Sequence, residues 1–354
     1  MRILHLPKNA ASQTSVIVRA LRDIGIDAKG IVINNHPIQA SENIINFEIV
    51  SMRRHPIRSF VQTLLGWRAV RSALHWADLI HWHFDATVLP KGLDLRYISL
   101  LNKPRIVQFW GSDIRIPEIA SADNPYSARM YMLAKDNYLL GSRKRSIGAQ
   151  SMFARYGFAC IIPSPELLPY VQQDLFPSVF RTEAGLVLSE FEPKYPDAEQ
   201  RKPVVVHMPS KPMVKGTQSV LDAIERLKIR YDFEFKLIHN VGHSEALAIV
   251  QNCDILLDQF VTGTIGLASL EAMALGKPVL CYIKPSLVEK FPSDFPIVNA
   301  NQDNLVEVLE ALLENGQRRN RIGRLSRAYV EEYHDAHKLA LQLKGIYKKL
   351  LYKH

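Results

Sequence analysis

Long apolar runs are missing from this chain: no window of its 354 residues approaches the ~18 or more consecutive apolar residues of a membrane span. Cysteine is scarce. The three present, Cys160, Cys253 and Cys281, are far apart and odd in number. That argues against a disulfide scaffold or zinc framework and suits buried thiols in a reducing compartment. There is no tandem repeat, no low-complexity tract, and no helix-turn-helix, zinc-finger or RNA-recognition signature, so no nucleic-acid partner is expected. The start, "MRILHLPKNAASQTS", has a strand's worth of apolar residues and no cleavage-site pattern. We expect no signal peptide and a cytoplasmic location. What is present is an ordinary globular composition, 47% hydrophobic and 22% charged, in a chain long enough for two cores.

Negative charge is absent from one segment. Ser51 to Ala77 holds Arg53, Arg54, Arg58, Arg68 and Arg71 and no acidic residue, within a chain of net charge +9. Ile57, Phe60, Val61, Leu64, Leu65, Trp67, Val70 and Leu74 are interleaved at roughly helical spacing. Two readings stand. The helix faces the core with a solvated basic side, or it lies on an anionic bilayer surface. The tail "LKGIYKKLLYKH" is also basic. Together these features suggest a peripheral visit to the inner face of a membrane.

Short apolar runs alternate with amphipathic segments, the rhythm of βα units and a parallel sheet. "RILHL" reads as a strand, followed by a helix with Ser12 as N-cap and Gly25 as its stop. "AKGIVI", "DLIHWHF" and "RIVQFWG" are further strands. From Pro163 to Pro203 seven prolines break the pattern, and the second half of that stretch reads as an interdomain connection. A second α/β series follows through "PVVVHM", "FEFKLIH", "CDILLDQ" and "PVLCYI". The fold expected is α/β, with two Rossmann-like doubly wound domains facing across a cleft. They span 1–185 and 186–335, and a terminal helix at 336–354 packs back toward the first. In such sheets ligands sit beyond the carboxyl ends of strands. That singles out the loops after Leu6, Phe109, Met208 and Gln259.

The loop after Gln259 opens "TGTIGLASLEAMALGKPVLCY", Thr262 to Tyr282. Gly263 and Gly266 allow close backbone approach. The helix that begins near Gly266 presents free amides to an anion, and Glu271, about a turn and a half inside, can accept a diol. After Met208, Lys211 and Lys215 lie four apart where a helix opens, an arrangement suited to a diphosphate. Asp113, near the end of another strand, can serve as a general base or can simply cap a helix. His81 and His83 offer two metal ligands on one strand face, with no third evident in the sequence. His207 reads as a satisfied core histidine, and Trp67, Trp76, Trp82 and Trp110 mostly as packing, with Trp110 able to stack on a ligand.

"GTIGLASLEAMALGKPVL" resembles the donor-site signature of retaining glycosyltransferases of the GT-B fold, especially glycosyltransferase family 4. "SKPMVKGTQSVLDAIERL" is similar to that family's basic motif, "RIVQFWGSDIR" to its acceptor-domain segment, and "RAYVEEYHDAHKLALQLKGIYKKLL" to its terminal helices. The resemblance spans nearly the whole chain. It implies transfer of a sugar from a nucleotide-sugar, as substrate, to a glycan or lipid-linked acceptor, with no metal and no cofactor. It also implies surface polysaccharide or glycolipid assembly. Glu271 would bind the donor ribose, Lys211 and Lys215 the pyrophosphate, and the backbone of Gly263, Thr264, Gly266 and Leu267 the phosphates or sugar. Ser12, Trp110, Ser112 and Asp113 would line the acceptor side. Lys211, Lys215 and Asp113 would carry the chemistry. Two positions depart from the pattern. Gly263 stands where the family has a glutamate, and Trp110 where it commonly has a histidine. They leave open a non-catalytic partner of another glycosyltransferase; an epimerase acting on free nucleotide-sugar is a further alternative.

Overall fold

A computed structural model describes residues 1–36, 39, 42–51, 53–134 and 141–352. The chain divides into two units. One comprises Met1–Ile116, Leu139–Gly185 and Ala336–His354, the other Pro117–Tyr138 and Leu186–Asp335.

The first unit is built on β1 (Arg2–Leu6), α1 (Gln13–Asp23), β2 (Asp27–Ile33), β3 (Ile44–Phe47), α2 (Pro56–Trp76), β4 (Leu79–His83), α3 (Leu93–Leu100) and β5 (Arg105–Gln108). The chain then enters the second unit for α4 (Pro117–Ser121) and α5 (Pro125–Leu133), and returns for α6 (Arg143–Arg155), β6 (Ala159–Ile162) and β7 (Val179–Arg181). The seven strands are parallel, in the order β3-β2-β1-β4-β5-β6-β7. Ile3, Leu4, Leu6, Leu79, Ile80 and Trp82 are completely buried, as a parallel sheet covered on both faces requires.

The second unit contains β8 (Val204–His207), α7 (Pro212–Lys215), α8 (Thr217–Lys228), β9 (Glu234–Leu237), α9 (His243–Gln251), β10 (Ile255–Leu257), α10 (Leu267–Ala274), β11 (Val279–Cys281), α11 (Pro285–Val288), β12 (Val298–Asn299), α12 (Leu305–Leu313) and α13 (Gly316–Tyr333). Its five parallel strands run β12-β11-β10-β8-β9. Val205, Ile255, Leu257 and Leu280 meet Val220, Ile224, Leu227 and Leu309 in its core. The last helix, α14 (Ala336–Tyr352), belongs to the first unit and packs on α1. Residues 353–354 of the basic tail lie outside the described residues.

Three expectations are refined. Residues 117–138 group with the second unit, so 1–185 is not continuous. The reason is specific bonding: Asn124 Nδ2 and Ser127 Oγ donate to the Val261 carbonyl at 2.8 and 3.0 Å. Tyr126 donates to Asp303 at 2.6 Å, and Lys284 to Asp123 at 2.8 Å. Ser12 occupies the N-cap position of α1, but its left-handed backbone (φ 64°) keeps its side chain from capping; Gly25 (φ 77°) follows the helix end. Lastly, α2 does not face the core along its first half. Ile57, Phe60, Val61, Leu64 and Leu65, spaced i, i+3, i+4, i+7, i+8, are 48–81% exposed, while Ser59, Gly66, Val70 and Leu74 are buried. Among the described residues no helix is long and apolar enough to cross a membrane.

Candidate functional site

Strand order in the second sheet reverses direction between β8 and β10, and ligands of doubly wound sheets sit beyond such a switch point. The two loops leaving those strands carry Lys211, Lys215, Gly263, Thr264 and Gly266. Lys215 ends α7, and its ammonium pairs with the buried carboxylate of Asp258, which follows β10. Ser269, in the first turn of α10, donates to the other oxygen of Asp258. Burial pushes the Asp258 carboxyl upward, but the charge and hydrogen bond of Lys215, with the hydroxyl of Ser269, hold it below the usual carboxylate range.

Gly266 is the N-cap of α10 and provides no side chain to its free amides. A Cβ at Gly266 would lie 3.7 Å from Lys215 Nζ and 3.6 Å from Asp258 Oδ2. A cation and a helix start therefore share one small space, with Leu267 half-buried beside it. Glu271, half-buried on the next turn, accepts from His243 Nε2 at 2.8 Å. That hydrogen bond, with the Glu271 charge, raises the pKa of His243. Lys211 is the N-cap residue of α7, with its side chain in solvent. Thr264 is buried, and its carbonyl accepts from Gln259. Gly263 needs φ +75°, and a Cβ there would approach Lys284 Cβ to 2.8 Å and Asn124 Nδ2 to 3.0 Å. No larger residue fits without displacing both neighbours.

The matching switch point of the first sheet, between β1 and β4, is filled differently. His5, His81 and His83 are wholly buried, with one ring nitrogen from each lying within 4.8 Å of the others. Thus β1 supplies a third histidine. The rings, however, are stacked: His81 and His83 lie 4.3 Å apart at 17°, His5 and His83 5.2 Å apart at 21°. His5 and His81 are tilted at 38°, 4.8 Å apart, and nitrogens from the three rings bond to one another and to neighbouring side chains. These hydrogen bonds define a ladder. Trp110 Nε1, a donor only, reaches His83 Nδ1 at 3.3 Å, so His83 Nε2 carries the proton it shares with His5 Nδ1 at 2.9 Å. His81 Nδ1 meets Tyr347 Oη of α14 at 2.7 Å. Burial lowers all three pKa values, that of His81 to about 3.

Asp113 is buried and accepts from the amides of Trp110 and Gly111 at 2.7–3.0 Å, which folds its carboxylate into its own turn. Burial raises its pKa to about 6. Ser112 is exposed beside it, and Trp110 half-buried. His207 is the satisfied core histidine expected, bonded to the Leu257 carbonyl at 2.8 Å and Thr217 Oγ1 at 2.9 Å, and burial lowers its pKa to about 4. All three cysteines are buried thiols. Sequence reasoning missed Asp258 and His243. Asp258 had a signal, an acid terminating the apolar run "DILLDQ"; His243, the first residue of α9, had none.

Residues 214–329 match the family model described as glycosyl transferases group 1. No curated protein matches the sequence. Among solved structures, sucrose-phosphate synthase from Thermosynechococcus elongatus is 14% identical with a TM-score of 0.67, covering 100% of this chain and 99% of that one. HepE from Anabaena in complex with UDP-glucose is 14% identical with a TM-score of 0.62, covering 99% of this chain and 100% of its own. WaaG, a glycosyltransferase involved in lipopolysaccharide biosynthesis, is 14% identical with a TM-score of 0.58, covering 98% and 99%. The chain thus has the α/β fold of GT-B glycosyltransferases, and its second unit carries the group 1 pattern over residues 214–329, which include Lys215 and Glu271.

Proposed function

We propose that this chain is a retaining glycosyltransferase that moves a sugar from a nucleotide-sugar to a glycan or lipid-linked acceptor in cell-surface polysaccharide or glycolipid assembly. The observation that carries the reading is the meeting of Lys215, Asp258, Ser269 and the uncapped start of α10 at the switch point of the second sheet. Departure of a diphosphate builds negative charge, and preorganised cations and amides act most strongly where charge develops. Lys215, already fixed by Asp258, turns its charge toward the leaving phosphates, with Lys211 closing from solvent. Glu271 receives the ribose diol in place of, or alongside, His243. In this reading the positive field comes from the chain itself, so transfer needs no metal and no cofactor. The solved HepE complex contains UDP-glucose, which makes uridine diphosphate sugars the first donors to test. On the acceptor side Trp110, held by His83, offers a ring face, and Ser112 and Ser12 flank strand ends. Asp113 acts on an acceptor hydroxyl only if its turn opens. The exposed apolar stripe of α2 among five arginines supports peripheral binding to the inner face of an anionic membrane.

A second reading is supported by Gly263, whose surroundings leave no room for the glutamate that the resemblance led us to expect. In that reading the protein is a non-catalytic GT-B-like partner of another glycosyltransferase. One panel separates the two. A nucleoside diphosphate at a hundred times its Kd adds about 2.7 kcal/mol of stability. The transferase reading expects that shift with one base, donor turnover with the same base, and loss of both in Glu271→Ala. Nucleotide binding with no turnover across acceptors selects the partner reading, and Glu271→Ala with wild-type behaviour rejects the site.

A further inference from the structure

A cavity of ≈ 400 Å³ in the first unit lies apart from the site above, lined by Ile33, Ile49, Phe60, Leu64, Val88 and Leu89, with Thr63 and Thr87. Those residues come from the ends of β2 and β4, the segment after β3, and the outward side of α2. They gather at the carboxyl edge of the sheet, where substrates of this architecture bind.

Each wall is fixed internally by side chain–backbone bonds. On one, Asn34 (φ 54°) donates to the Ile49 carbonyl at 3.1 Å and accepts from its amide at 2.7 Å. On the other, the fully buried carboxylate of Asp94 accepts from the amides of Val88 and Leu89 at 2.5 and 3.3 Å. An apolar hollow with pinned walls does not close over itself, so it is preformed for an apolar occupant.

The rim is basic. Lys8 donates to the carbonyl of Ile33, a lining residue, at 3.2 Å. Lys91 follows the lining residue Pro90. Of the nearby acids, Asp85 is paired with Arg145 at 2.6 Å, and Glu48 is exposed. Phe60 and Leu64 belong both to the cavity and to the exposed stripe of α2, so the hollow opens on the surface that would meet a bilayer.

We infer that this cavity takes the aliphatic chain of a lipid-anchored acceptor, with the anchor's phosphate at the basic rim. The inference rests on the transferase reading and deepens it by choosing the lipid-linked acceptor class over a free glycan. Of a bilayer lipid's tail and the acceptor's own, the acceptor's is the occupant, because the hollow runs from the α2 stripe to Ile33, Thr87 and Val88 at and beyond the carboxyl ends of β2 and β4, where substrates of this architecture bind.

The test uses the intact chain, without donor, and n-alkyl phosphates of four to ten carbons below their micelle concentrations, followed by titration calorimetry. Each buried methylene contributes about 0.8 kcal/mol, so affinity should rise about fourfold per added carbon and level off once the hollow is full. Leu64→Trp and Thr87→Phe, two independent plugs, should each abolish the chain-length dependence while leaving the melting temperature and any nucleotide-induced shift unchanged. Inorganic phosphate alone should bind weakly, and octanol at least tenfold more weakly than octyl phosphate. Affinity that is independent of chain length, or unaffected by both plugs, overturns the cavity assignment. Equal affinity for octanol overturns the anionic head. Failure here with an intact nucleotide shift leaves the donor reading standing, and the reverse result removes the transferase reading without touching the cavity.

Discussion

The two sheets use one topology to opposite ends. Each reverses strand order beside its first strand, at β1/β4 and at β8/β10. At β8/β10 the space is charged and partly open: Lys215 against Asp258, Glu271 against His243, and the bare start of α10. At β1/β4 it is closed by stacked neutral rings, in which His83 bonds to His5 and Trp110 and His81 to Tyr347, while His5 Nε2 is buried without a hydrogen-bond partner among the described residues. Topology therefore sets where a ligand can be gripped, but side-chain chemistry decides whether the place is a grip or a plug.

The largest expected effect breaks the charged side. Lys215→Ala should reduce transfer on the order of 10²–10³-fold in kcat/KM. On its own it also strands Asp258, whose side chain is 2% exposed, and breaking such a pair costs about 3–5 kcal/mol of stability. Adding Asp258→Asn should restore the melting temperature and leave the rate defect. A double variant with normal turnover would collapse the contrast between the two switch points. Next, Gly263→Glu introduces a side chain at φ +75° against Lys284 and Asn124. It should lower stability by about 1–3 kcal/mol in denaturant titrations; an unchanged midpoint would mean that the loop is plastic.

The smallest effect belongs to the ring stack. His5 is neutral when folded and takes up a proton near the ordinary histidine pKa only when unfolded. Below that pKa the unfolded chain holds the extra proton, so the ring's contribution to stability is complete at neutral pH and declines as pH falls. His5→Gln should flatten the acid side of the stability profile by up to about 1.4 kcal/mol per pH unit as pH falls below the ordinary histidine pKa. Asp113 and Glu183, both with raised pKa values, act in the opposite sense but are common to both proteins and cancel in the difference. His243 has the opposite sign to His5. Its pKa is raised, so its contribution is present below its ordinary pKa and lost as pH climbs past the raised one. A His5→Gln slope identical to wild type would mean that the ring is already hydrated.

Much of this layout was legible in the chain. Alternating short apolar runs and amphipathic helices marked every β8–β12 strand but the short last one, and the loops leaving them pointed to Lys215, Gly263 and Gly266. Partners were not legible. Nothing local announces that Asp258 receives Lys215, or that His243 on a separate helix receives Glu271. Nor does sequence say which core α5 joins, since Asn124 and Tyr126 bond to residues 137 and 177 positions away. Helical spacing in α2 revealed an apolar stripe but not its direction. Periodicity defines a face, and only packing decides whether that face is inward. Similarly, "HWH" presented two rings, and pairing β1 with β4 supplied the third.

The alternation of the chain between the two units has a consequence for biosynthesis. The polypeptide passes from one unit to the other four times, after Ile116, Tyr138, Gly185 and Asp335. The first to be translated is then the last to be finished, because Tyr347, on the final helix, supplies the hydroxyl that His81 meets. During synthesis the first unit lacks α14, and with it the Tyr347 hydroxyl that His81 meets, until residues 336–352 have been made. Premature termination after Asp335 would thus injure the first unit more than the second.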